Sequence, residues 1–390
     1  MKSRSLFVVL VIGVCFCCCY CSSPQHGDGS VLEVNIEGNN VSVCLLEKTK
    51  SNTATIPLSS LVEDYTLLQL ETLDDAFVNP WFTTVTEKYI GISQSRASYK
   101  LFNRSGKFIG DVGKIGQGPG EYALSIYDVF IDDVAELIYL SQINDNKILV
   151  YDTSGKFLRN ITTLQRFNKP KLFLSEDILT IVQLAFEDEH VMIQQLDINT
   201  VEQLKQLNPP KHLLTHSYDD EIFKTRNTQA VDFNVTSSDT LYHYDVKNNK
   251  ILPVFTMTDD LSDKPWKQYF QLNKDLIMTN ITRFGIGGGS LQGSVVTDLK
   301  NKISSYVRVV NDYCGNIPIL ISIINFQNGY FVYNIQPEQL IEDINNRLIE
   351  SNCTENDRQM LNKTLSTLKE NTNNVVFIGK LKSEIDKKLW

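Results

Sequence analysis

Four groups of residues in this chain have the types and spacing for chemistry. The first is His212 and His216, followed by Asp219, Asp220 and Glu221. On a helix, imidazoles at i and i+4 with an acidic third ligand would suit zinc. Pro209 and Pro210 mark a loop here instead, and no H-E-x-x-H, D-x-D-x-D-G or G-x-S-x-G pattern occurs. The segment therefore reads as solvated surface, and no metal ligand or catalytic residue is assigned. The second group is the run V-G-K-I-G-Q-G-P-G-E-Y at 112–122. A glycine-rich loop can cradle an anion, but no lysine follows in P-loop register and no helix is signalled after it. The reading is a structural crossover. Gly116, Gly118 and Gly120 can adopt backbone angles denied to other residues, and Pro119 fixes the turn. Glu121 caps exposed N–H groups, and Tyr122 packs beneath. The third group is Trp81, Arg96, Tyr99 and Arg283, ligand-binding candidates because aromatic and arginine side chains dominate recognition surfaces. The fourth is the cysteine cluster Cys15, Cys17, Cys18, Cys19 and Cys21.

That cluster lies in a leader. Lys2 and Arg4 precede one apolar run from Leu6 to about Cys19. The run is shorter than the ~20 apolar residues of a membrane span, and its charged start and short core form a secretory signal. A cysteine at its end, followed by Ser22, Ser23 and Pro24, resembles the lipobox of bacterial lipoproteins. The resemblance implies cleavage just before a cysteine whose thiol then carries diacylglycerol. Cys19, with Phe16 at −3 and Cys18 at −1, is the first choice; Cys21, preceded by bulky Tyr20, is the alternative. Residues 1–21 are thus expected to be a signal peptide and 22–53 a tether and N-terminal extension. The expected location is the bacterial cell envelope, at the outer membrane, with the lipid as the only membrane contact. Cys44, Cys314 and Cys353 remain, too few for a disulfide framework in a body this large.

The rest has globular composition: 390 residues, 42% hydrophobic and 21% charged. Acidic residues outnumber basic ones, 46 to 37, for a net charge of −9. Without a basic run, nucleic acid is not an expected partner, because that binding rests on phosphate neutralisation.

The elements that must position the candidates repeat. Y-K-L-F-N-R-S-G-K-F-I-G-D-V (99–112) and I-L-V-Y-D-T-S-G-K-F-L-R-N-I (148–161) share a strand–turn–strand pattern. Asn or Asp with Gly at the turn accepts the positive φ that short hairpins need. Weaker copies follow, and the markers Asn103, Asp152, Asp197, Asp245 and Asp298 step by 49, 45, 48 and 53 residues. That period suits a four-stranded sheet, and each copy is preceded by period-two segments rich in Val, Ile, Tyr, Phe and Thr. After Pro337, Leu340, Ile344 and Leu348 recur at helical spacing, as do Leu361, Leu365 and Leu368. V-V-F-I-G-K-L (375–381) is a last strand. Strands within 54–70 are expected to complete the last blade and close the ring.

The loop at 112–122 resembles the G-x-G-P-G-E-Y signature of six-bladed β-propeller lipoproteins of Bacteroidetes. The resemblance extends over roughly 60–382, with looser matches at 62–72, 239–242, 311–315 and 373–377. With the repeats, it implies an all-β fold: a single six-bladed, NHL-like β-propeller at 54–382. A helical hairpin at 337–371 is inserted in its last blade, and 383–390 form a tail. The expected function is a lipid-anchored binding module for a peptide, a glycan or another envelope protein, with no cofactor. The alternative is a propeller-type hydrolase, lyase or lactonase with a central-channel site that uses a divalent cation. Oligomeric state is not read.

Overall fold

The computed structural model describes residues 27–385, apart from 37, 124, 187–190, 226, 228–229, 260–264, 286–287 and 320–324. The lipidation candidates Cys19 and Cys21 lie outside the described residues. The body is all-β and arranged as a β-propeller. Its first sheet holds Pro80–Val85, Tyr89–Gln94, Tyr99–Asn103 and Phe108–Val112. The second holds Ile126–Asp132, Leu137–Gln142, Asp145–Asp152 and Phe157–Phe167, and the third Lys171–Ser175, Ile178–Val182, Ile193–Asp197 and Gln203–Leu207. Ile222–Lys224, Asp232–Val235, Thr240–Asp245 and Lys250–Thr258 belong to the fourth. The fifth contains Trp266–Gln271, Leu276–Gly285, Gly288–Asp298 and Ile303–Asn311. Asn325–Gln327, Tyr330–Ile335, Val375–Leu381 and Val62–Gln69 make the sixth.

Burial explains the sequence patterns. Second strands such as Tyr89–Gln94 are covered on both faces by neighbouring sheets, so five consecutive residues are buried. Outermost strands such as Phe108–Val112 alternate between covered and open positions, the period-two signal of a half-buried strand. The core is divided into clusters between neighbouring sheets. Tyr99 and Leu101 meet Ile126 and Ile138; Tyr139 and Ile148 meet Leu172 and Leu179; Val182 and Ile193 meet Phe233 and Tyr244. Further round, Leu241 and Phe255 meet Tyr269 and Val295, and Phe270 and Met278 meet Phe326 and Phe377. Val332 and Val376 pack on Val85 and Ile90, which closes the ring.

The N-terminal segment departs from expectation. Val31–Ile36 and Asn39–Leu45, read as part of an extension, form a hairpin that adds two strands to the fourth sheet, the second parallel to Lys250–Thr258. Lys50–Pro57 pairs in parallel with Ile303–Asn311 of the fifth sheet rather than joining the last one. A helical turn at Leu58–Leu61, with Leu58 and Leu61 buried, then redirects the chain. Only Val62–Gln69 completes the sixth sheet, antiparallel to Val375–Leu381. These additions cover sheet edges that would otherwise present unpaired N–H and C=O groups.

The helical hairpin, Pro337–Ile349 and Glu355–Leu365, interrupts the sixth sheet. Thr354 opens the second helix with a reciprocal cap: its hydroxyl accepts from the Asp357 N–H, and the Asp357 carboxylate accepts from its own N–H. Leu340, Ile344 and Leu361 face the buried cluster of the fifth and sixth sheets. Cys44, Cys314 and Cys353 are free and buried. Among the described residues, no helix is long and apolar enough to cross a membrane.

Candidate binding site

Antiparallel order brings the start of each first strand and the end of each second strand to one face of the ring. The connections that enter each sheet lie there too. Where the first and second sheets meet on this face, a pocket of about 470 Å³ opens, lined by Asn79, Pro80, Trp81, Ser95, Arg96, Ser125, Tyr127 and Ile143. Its size falls in the range of about 300–1,000 Å³ usual for ligand sites.

Trp81 stands on the first strand of the first sheet with 53% of its surface exposed. Its indole is steadied by Phe82 at 5.7 Å and by the edge of Tyr127 at 5.9 Å. Arg96 lies in the connection after the second strand, at φ +54°. Its backbone N–H donates to Ser125 Oγ at 2.8 Å, which ties that turn to the neighbouring sheet. The Lys171 ammonium sits 4.2 Å from the centre of the Tyr127 ring, within cation–π range.

From Tyr127, a charged network runs into the neighbouring sheets. Tyr127 Oη donates to Glu221 Oε2, and Lys169 Nζ donates to Glu221 Oε1 at 2.6 Å. Burial pushes the Glu221 carboxyl up to about 7 and holds Lys169 below its ordinary value. Deeper in, Asp128 Oδ2 accepts from Lys224 Nζ and from the Leu172 N–H, both at 2.7 Å. First strands of the second, third and fourth sheets are thereby cross-linked. Fully buried Lys267 lies 2.6 Å from carboxylate oxygens of both Asp239 and Asp259.

Of the four ligand-binding candidates, Trp81 and Arg96 come together in the pocket. Tyr99 is fully buried between the first and second sheets, where its N–H donates to Tyr122 Oη at 2.7 Å. Arg283 lies on Leu276–Gly285 of the fifth sheet, away from the pocket.

In the glycine-rich loop, Lys114–Ile115 and Glu121–Tyr122 form a short parallel pair. The Glu121 carboxylate accepts from the Gly118 N–H at 2.8 Å and meets Lys114 Nζ at 3.1 Å. The Gly118 N–H is the main reason its acid range is lowered. Tyr122 Oη donates to the Val112 carbonyl, and Tyr151 Oη to the Gly120 carbonyl. A Cβ on Gly116 would stand 2.0 Å from the Glu121 carboxylate, so Gly116 and Pro119 frame a turn folded on its own glutamate. Gly120 needs φ +70° and room beside Phe157.

His212 sits on a short turn at Lys211–Leu213, and His216 lies beyond Leu214–Thr215, so one helix does not carry both. Among the described residues, no three His, Cys, Asp or Glu side chains converge as a metal site.

Sequence reasoning missed Tyr127 and Lys169 as site residues, and it set Glu221 aside with the His212–His216 segment as solvated surface, whereas Glu221 bonds to both. The repeat register held a usable signal, since it places Tyr127 on a first strand and Lys169 and Glu221 in entering connections.

A family model described as "Domain of unknown function (DUF4934)" matches residues 41–380. The chain belongs to this family. Among solved structures, it is similar to a Bacteroides fragilis protein named as exported, with TM-score 0.59 and 16% identity, covering 86% of this chain and 98% of that one. A member of the DUF4221 family from Bacteroides vulgatus is similar at TM-score 0.47 and 12% identity, covering 83% and 98%. The first of these likenesses concerns the fold alone. No curated protein matches the chain.

Proposed function

We propose that this DUF4934 member is an envelope-anchored binding module. Its leader exports it, Cys19 or Cys21 carries the lipid at the outer membrane, and a six-bladed ring presents the pocket to a peptide, glycan or envelope partner. Six sheets of four or more strands, with buried clusters between neighbours, support the blade count. Export agrees with the name of the Bacteroides fragilis neighbour. The observation that carries the binding reading is Trp81, a large ring held open in a concave site beside Arg96. Rigid rings that hold loops on one face suit recognition.

A second reading, a hydrolase, lyase or lactonase, draws on Glu221. A carboxyl titrating at about 7 beside a tyrosine hydroxyl and a lysine is a candidate acid–base group. The test is a thermal-shift screen of the mature chain against glycans, cell-wall peptides and lactones, with divalent cations and EDTA as separate arms. Ligand at 100 times its Kd should stabilise by about 2.7 kcal/mol. A shift that disappears in Trp81→Ala supports the binding module. Turnover lost in Glu221→Gln supports the enzyme instead, and a cation-dependent shift adds a metal to it.

A further inference from the structure

We propose that the pocket takes a saccharide bearing a carboxylate, with the sugar face on Trp81 and the acid on Arg96. This rests on reading the pocket as the binding site. Three observations carry it.

Phe82 and Tyr127 fix the Trp81 ring from its surroundings and leave about half of it open. A pyranose has one face of C–H bonds and hydroxyls around its rim, so it can cover a flat ring without losing hydrogen bonds at its edge. Asn79, Ser95 and Ser125 supply neutral amide and hydroxyl groups at the pocket wall for those hydroxyls. Few, well-placed polar groups around an apolar floor are what orient small ligands.

The third observation is charge. The chain is acidic, and three largely buried lysines have carboxylate partners: Lys169 with Glu221, Lys224 with Asp128, Lys267 with Asp239 and Asp259. Arg96 differs. It is exposed and makes no ion pair among the described residues, and among them no Asp or Glu lines the pocket. A guanidinium with free donors matches a carboxylate as a two-pronged partner. Among the described lining residues, Arg96 is thus the charged group offered to a ligand.

The experiment is calorimetric titration of the mature chain with trigalacturonate, its uncharged methyl ester and an acetylated triglutamate peptide. The acid should bind about 10-fold more tightly than the ester, the effect of roughly one charge-assisted pair. Arg96→Gln should equalise acid and ester while retaining ester binding, and Arg96→Lys should keep part of the preference. Trp81→Ala should weaken both sugars. Matched melting curves will show that the variants fold. Equal affinity for acid and ester in the parent chain would overturn the charge assignment and leave the pocket reading standing. Tighter binding of the peptide would overturn the sugar class. Failure of every probe, or sugar binding indifferent to Trp81→Ala, would remove the pocket reading and this inference together.

Discussion

Lys169 and Glu221 approach to 2.6 Å although they lie in different connections, one entering the third sheet and the other the fourth. Tyr127, from the second sheet, donates to the same carboxylate. One carboxyl group therefore ties three sheets together. Its titration has a defined effect on stability. Burial raises its native pKa from 4.5 to about 7, so between those values the native state holds more protons than the unfolded chain. The sign is then negative: this contribution is fully present below about pH 4.5 and is lost as pH rises through about 7. The melting temperature of the parent chain, relative to Glu221→Gln, should fall across that window. A parallel pair of pH profiles would refute the assignment.

Trp81 is half exposed, and its replacement should cost little stability while removing the pocket's platform. Trp81→Ala is expected to cost about 1 kcal/mol, the worth of its ring contacts with Phe82 and Tyr127. A loss of several kcal/mol on chemical denaturation would make it a packing residue.

Lys267 is the opposite case. It is fully buried between Asp239 and Asp259, so Lys267→Met withdraws the ammonium that both carboxylates contact. Breaking a buried pair from one side costs about 3–5 kcal/mol. Urea denaturation of the variant should show a midpoint far below that of the parent chain.

Gly120 holds φ +70° with the Phe157 ring 2.4 Å from where a Cβ would sit. Gly120→Ala should destabilise by about 1–3 kcal/mol through backbone strain alone, with steric displacement of Phe157 added. A melting temperature equal to the parent's would mean that the loop relaxes freely.

Removal of residues 1–46 strips the hairpin from the fourth sheet and bares Lys250–Thr258 as an edge. Exposed edges template aggregation. Light scattering on warming should show the truncated chain aggregating while the chain from residue 22 remains monodisperse.

Local chemistry made much of the fold legible. The Asn103 and Asp152 hairpins could be read because each turn depends on residues adjacent in the chain. The helices after Pro337 were legible from apolar spacing and a proline start. The second ended earlier than its leucines suggested, at Leu365. Lys50–Pro57 was misplaced because its strand pattern fits any open edge, and only the buried turn at Leu58–Leu61 directs it to the fifth sheet.

Composition, leader and repeat period by themselves determined an all-β repeating body and the expectation of export, because each depends on residue type and short-range spacing. Trp81 and Arg96 were recognisable as types, but Tyr99 and Arg283 looked equivalent to them. Their separation was decided by the tertiary structure. Gly91 lacks a Cβ where the Tyr99 ring enters the core, whereas Trp81 stands at a strand start open to solvent. The repeat register put Tyr127, Lys169 and Glu221 on one face but not in contact, since Glu221 lies 94 residues beyond Tyr127. A contact at that separation exists only once the sheets have closed into a ring.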